Sequence, residues 1–427
     1  MRQPRAENRT DLPGLWASHP RPPNLPPMHP HDNPTQRALR VAFLQMANRT
    51  LRLFHITLFA TVVTMVARAG IQVGAPGVVR ELGAGITPGI CVDAHGAVHV
   101  VYMEGRTILY RRADGSALRF GPPESVPVPE GPALYNSPHL VCDANGTLHL
   151  VFERDWTASS RKAWYSRRQH GRWSEPLLAI DRSGTERRVN YPRLAVAGDT
   201  VFVGAFAGGG SVVAKLGNSN ARPTVTASVE TPLWVAHPLL SPSGEILIVG
   251  RDGARGHKLV RYTPDLTAIG DPLLLSRGTP TKTFEPTAAM IDASGVVHVA
   301  GATGSPVEVL WYTTNERAAA GLPVILGPEL GHGIKEFTYP VMIRDAKGRI
   351  LVSFRDHATG AARLTMFDPQ SEKFVEPITI APATTRRLRW NPHLAAAPGG
   401  GVYVAWDTDG RVFVRAVGEA ANAGESR

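Results

Sequence analysis

The chain has 427 residues, 43% of them hydrophobic, with 42 Gly, 36 Pro and 2 Cys, and a formal net charge of +10. The apolar fraction supports a substantial core, and abundant Gly and Pro suit many short strands joined by tight turns. The charge, mainly arginine, suits an anionic partner. No dense Lys/Arg run interleaved with aromatics occurs, so nucleic acid is not the expected one.

Residues 1–45 are rich in Pro, Arg and His (PRPPNLPPMHPHDNPTQ) and cannot bury a core, so they read as a disordered extension outside the mature product. From Met46, Arg49 and Arg52 precede the apolar run Ile56–Val66, and Ala67-Arg68-Ala69 matches a small-x-small cleavage pattern. Residues 46–69 therefore read as a secretory signal peptide, with a membrane anchor over 54–69 as the alternative. Export makes a disulfide chemically possible between Cys91 and Cys142. Two small buried apolar residues is the more ordinary reading.

Over residues 70–418 one pattern returns: a proline, a short apolar run, a polar turn and a second apolar run. It appears first as ITPGICVDAHGAVHVVY and next as NSPHLVCDANGTLHLVF. The prolines Pro88, Pro138, Pro192, Pro238, Pro286, Pro340 and Pro392 stand roughly 50 residues apart, a propeller-blade period. Asp-Ala-x-Gly at Asp93, Asp143, Asp292 and Asp345 marks the turn between the apolar runs. A third run follows (TILYRR, KAWYSRR, KLVRYT, EVLWYTT, ARLTMFD), then a fourth after another proline, as in PLLAI and PITI. Four short strands per unit without helical periodicity predict an all-β, seven-bladed β-propeller. The last repeat lacks its fourth strand. APGVVREL, from Ala75, has the missing pattern and is expected to close the ring; residues 419–427 are left as a tail.

The residues preceding the seven prolines, Thr87, Ser137, Tyr191, His237, Glu285, Tyr339 and Asn391, are expected to converge on one face, aimed uniformly by proline's preference for an extended predecessor. The loop after each second strand returns to that face with Glu104, Glu153-Arg154-Asp155, Arg251-Asp252, Arg355-Asp356-His357 and Asp407. Asn136, Asn190, His139, Arg193 and His393 lie beside the ring. Guanidinium forks there would receive a carboxylate from a polar, anionic ligand. His99, His149 and His298 recur at one repeat position, which predicts a structural use. There is neither a zinc-type spacing of Cys and His nor a nucleotide loop, so no metal or cofactor is expected.

The turns RRADGSALRF and SRRQHGRWSEP look like worn Asp-box motifs, with Asp114-Gly115 leading to Phe120 and with Gly171-Arg172-Trp173. Through them the repeats resemble BNR-repeat (bacterial neuraminidase repeat) propellers. The branch that includes ulvan-lyase-like polysaccharide lyases is similar to the run from Asn136-Ser137-Pro138 to His149, and to that from Tyr339-Pro340 to Arg355. Tyr135 and Phe152-Glu153-Arg154 stand where such lyases often carry histidines. The resemblance implies an acidic-polysaccharide partner and β-elimination. Arg193, Arg251 or Arg355 would take the carboxylate, His237 would be the base, and Tyr191 or Tyr339 base or acid. Arg154, Asn136, Asn190, His139 and Asn391 would complete the binding surface. Two alternatives stand beside it: a sialidase-like hydrolase using Glu285, Tyr339 and one of Asp155, Asp356 or Asp407, and a non-catalytic glycan-binding propeller.

Overall fold

The computed structural model describes residues 76–114, 117–130, 135–154, 162–182, 189–217, 223–252, 256–277, 287–303, 307–332, 340–356, 359–369, 371–382 and 392–418. The proposed leader and the tail lie outside them, as do Tyr339, Glu285 and Asn391.

The described strands form seven antiparallel sheets arranged as a propeller. In blade 1 the order from the axis outward is Ile86–Val92, Val98–Glu104, Thr107–Asp114 and a split outer position, Arg119–Phe120 with Glu124–Val126. Blades 2 and 6 split their outer position in the same way. Blades 3, 4 and 5 have unbroken outer strands, Thr224–Thr231, Ala268–Ser276 and Ile325–His332. The short helix Asn315–Ala319 in blade 5 escapes the repeat pattern; Thr314 caps it by accepting from the Arg317 N–H.

Second strands are apolar on both faces because each is packed between two neighbouring blades. In Val98–Glu104, Val98, Val100 and Tyr102 pack with Ala405, Val412 and Val414 of blade 7. Val101 and Met103, on the other face, pack with Leu148, Leu150 and Phe152 of blade 2. The period of two thus spreads the core over every blade junction. Cys91 and Cys142 sit in the second of these clusters and form a disulfide, with Cα atoms 5.9 Å apart, instead of the two free thiols that were the more ordinary expectation. Consecutive inner strands bring them face to face.

The Asp turns work as their sequence suggests. Asp93 Oδ1 accepts from the N–H groups of His95 and Ala97, and Asp143, Asp292 and Asp345 repeat the arrangement. Gly96 closes the first at φ +82, a conformation that suits glycine. In three blades the turn's second oxygen meets a histidine whose other nitrogen meets a tyrosine of the third strand: Asp93, His99, Tyr110; Asp143, His149, Tyr165; and Asp292, His298, Tyr312. Burial keeps these imidazoles below their ordinary pKa, the Asp partners opposing it. They bind the turn to the blade.

Closure follows the expected route. Pro76–Ala84 pairs antiparallel with Arg411–Val417, so the first described strand completes blade 7. Arg411 reaches the Glu81 carboxylate at 2.7 Å, and Arg415 donates to the Gly77 carbonyl at 2.7 Å.

Candidate functional site

Proline shapes the start of the inner strands, though not in the way expected. A residue without an N–H cannot complete the ladder, and the register shifts there: between Ile86 and Gly89, Asn136 and His139, and Asn190 and Arg193. The residue before the proline takes a left-handed conformation at each bulge: Thr87 (φ 50), Ser137 (φ 49) and Tyr191 (φ 56). The uniform extended geometry expected of these positions is therefore absent. In blade 4 the same bulge lies between Trp234 and His237, with Val235 at φ 50. His237 is thus the counterpart of Arg193 and His139, the residues after the bulge, and not of Tyr191.

These bulges aim His139, Arg193 and His237 into one cavity of about 150 Å³, which His393 of blade 7 also lines. Ala288 and Ala289 of blade 5, and Pro340, Val341 and Met342 of blade 6, form an apolar wall. Among the described lining residues, Arg193 is the one that is charged at every ordinary pH. His393 follows Pro392 as His139 follows Pro138; that shared spacing marks it for the site, although no role was assigned to it from sequence.

The three imidazoles are half-buried around the cavity, crowded by neighbouring protein, and are held uncharged. Burial pushes His139 well below its ordinary pKa, and the neighbouring Arg193, His393 and His237 push the same way. Burial and then Arg193 bring His237 and His393 each down to about 3. The Thr287 backbone partly opposes the shift at His237. Arg193 donates through Nη1 to the Pro192 carbonyl at 3.1 Å, and the Leu194 N–H donates to His139 Nδ1 at 3.3 Å.

The other expected residues are placed differently. Tyr191 is half-buried and does not line the cavity; its N–H donates to Glu153 Oε2 at 3.0 Å, while Ser137 Oγ donates to Oε1 of the same carboxylate. Asn190 pairs with Phe206 in the ladder of blade 3. Arg251 and Arg355 are not loop residues: each is the last residue of its strand, and they are 2% and 4% exposed. Both stand two residues beyond the partner of an axial position, Val249 opposite His237 and Ser353 opposite Val341. Glu153 and Asp407 hold the equivalent places in blades 2 and 7 and are buried too. Four buried ionisable residues, Glu153, Arg251, Arg355 and Asp407, thus lie at the ends of second strands, off the cavity lining, while blades 1 and 3 have Met103 and Phe206 at this place. Asn136 and Arg154 occupy strand positions in blade 2, opposite Glu153 and Tyr135. Asp252 pairs with Lys258 at 2.6 Å and Asp356 with Arg363 at 3.1 Å, so these loop carboxylates are satisfied within their own blades. Among the described residues no group of three metal-ligating side chains is assembled.

No protein-family model matches the sequence, and no curated protein matches it. Solved structures do. An ulvan lyase, described as a new family of polysaccharide lyase, is 13% identical over 80% of this chain and 96% of that one, with a TM-score of 0.50. A fungal alcohol oxidase of the AA5 family, in complex with copper, is 13% identical over 81% of this chain and 76% of that one, also at 0.50. One fold carries both chemistries, so the likeness speaks for architecture. The chain is a seven-bladed β-propeller with one arginine and three uncharged imidazoles gathered in a cavity at its inner strands.

Proposed function

We propose that this chain is an exported propeller of BNR-repeat kinship that binds an acidic polysaccharide and cleaves it by β-elimination. The observation that carries the reading is the cavity: one permanent cation, Arg193, among the neutral imidazoles of His139, His237 and His393. Elimination from a uronate needs a cation on the carboxylate, which makes the adjacent C–H more acidic, and an uncharged base to take that proton. The C–H bond and the C–O bond to the leaving sugar break, a C=C bond forms, and the leaving oxygen is protonated. Arg193 takes the carboxylate, and His237 or His393 the proton. Tyr191 does not line the cavity, so the histidine that takes the proton is also the one that returns it to the leaving oxygen. A carboxylate on Arg193 also offsets the charge that depresses the imidazoles, so the base strengthens when substrate is present.

Export is part of the proposal. The leader-like segment from Met46 supports it, and so does the Cys91–Cys142 disulfide, a bond of oxidising compartments.

One observation favours a second reading. Imidazoles titrating near 3 accept protons weakly at neutral pH, which suits a propeller that binds uronates without cleaving them. The test is turnover of purified protein against uronate polysaccharides, following the ultraviolet absorbance of unsaturated uronate together with reducing ends. Both signals rising, and both lost in Arg193→Met, supports elimination. Reducing ends without absorbance refutes it in favour of hydrolysis. Uronate binding without either signal supports the second reading.

A further inference from the structure

One imidazole of the cavity has a fixed tautomer. Leu194 lies on the innermost strand of blade 3, Val189–Ala197, which is paired on one side only. Its N–H does not enter the ladder; it donates across the blade junction to Nδ1 of His139, at 3.3 Å. A ring nitrogen that accepts must hold its lone pair, so the proton of the neutral ring sits on Nε2. Protonating Nδ1 would set two N–H groups against each other and orphan the backbone donor of Leu194, a residue 7% exposed. The charged and titratable groups facing the ring are Arg193, His237 and His393, and they likewise disfavour a second proton.

Resting on the acidic-carbohydrate reading, we infer that His139 is the permanent hydrogen-bond donor of the cavity. Its Nε2–H and the Arg193 guanidinium hold the two oxygens of a single carboxylate, and His139 takes no part in proton abstraction. Arg193 and His139 occupy equivalent positions on adjacent inner strands, both next to the bulge, and both line the same space of about 150 Å³. That space suits a carboxylate with part of one sugar ring. A second donor turns point attraction into recognition of a plane, and it meets charge that grows on those oxygens as elimination proceeds. The base is thereby confined to the two remaining histidines.

The test uses glucuronate and galacturonate, titrated calorimetrically into the full-length protein, with glucose as the uncharged control. His139→Leu removes the donor and keeps bulk; His139→Gln offers an amide N–H near the place of Nε2. The expected results are a loss of about tenfold to hundredfold in uronate affinity for His139→Leu and about threefold or less for His139→Gln, with glucose unaffected. Selective ¹⁵N-histidine spectra give an independent reading: Nδ1 bare and Nε2 protonated at pH 8 and pH 6, with and without uronate. Wild-type binding that His139→Leu leaves unchanged overturns the inference, as does a His139 ring protonated at Nδ1. If the wild-type protein binds neither uronate, the acidic-carbohydrate reading falls and the carboxylate role with it, whatever the spectra show.

Discussion

Replacing Cys91 and Cys142 by alanine removes the covalent link between the inner strands of blades 1 and 2. The two residues are 51 positions apart. For a loop of that length the chain-entropy relation gives about 14 cal/mol/K lost from the unfolded ensemble, or about 4 kcal/mol at 25 °C. The described fold runs from Pro76 to Val417, about 340 residues, so its unfolding entropy near 60 °C is about 0.7 kcal/mol/K. Dividing one by the other predicts a fall of about 6 °C in the unfolding midpoint. Alanine is the right replacement because both sulfurs lie in an apolar cluster with Leu148, Leu150 and Phe152, where serine would bury a hydroxyl. The assay is calorimetric unfolding of wild type and double variant, each with and without a reductant. Reduction should lower the wild-type midpoint to near that of the variant and leave the variant unmoved. A reduced wild type within 1 °C of the oxidised protein would refute the reasoning, since the link would then not constrain the unfolded chain.

Two further outcomes follow from the same structure. His237 and His393 titrate near 3 in the folded state and near 6.5 in the unfolded chain. Below 6.5 the unfolded state therefore binds more protons, and stability falls as pH falls until the folded pKa is reached. At pH 5 the two groups together should remove roughly 4 kcal/mol relative to pH 7.5; denaturant unfolding at both values checks this, and equal stabilities would contradict the buried neutral state. Deleting the strand Pro76–Ala84 should expose the edge of Arg411–Val417 and shift elution on size-exclusion chromatography toward larger species than the undeleted protein gives; an unchanged elution profile would contradict the closure.

The blades were legible because their signals are local. Asp-Ala-x-Gly dictates a turn by its own hydrogen bonds, and apolar alternation on either side needs no knowledge of the neighbour. Even the closing strand could be placed, since a repeat that lacks its fourth strand must find one. The cavity was only half legible. Proline marks where the ladder lacks a donor, but it does not say how the register recovers. In blade 4 the bulge sits at Val235, with Ala236 where blades 1, 2 and 3 have proline, so aligning Pro238 with Pro192 sets His237 against Tyr191, two residues from its structural counterpart Arg193. Tyr191 misses the lining for another reason: at φ 56 it is left-handed, not in the extended geometry that a following proline favours. Charge after an apolar run ordinarily marks the loop, which is why the sequence points to a loop at Arg251 and Arg355; here each strand takes the arginine in as its last residue and buries it.

The closing strand also has a history in time. Glu81 and Arg411, which meet at the seam, are 330 residues apart. At the usual pace of synthesis, about 5–20 residues per second, the first strand is made roughly 15–70 s before its partner exists. Through that interval Val78 and Val79 are offered on an unpaired segment, and both stay exposed in part even in the finished ring, at 55% and 38%. The Arg80 and Glu81 that follow them are the charges that make premature pairing with another chain unfavourable. The seam is therefore the last part of the propeller to form, and the step at which a nascent chain is most open to capture by a second copy.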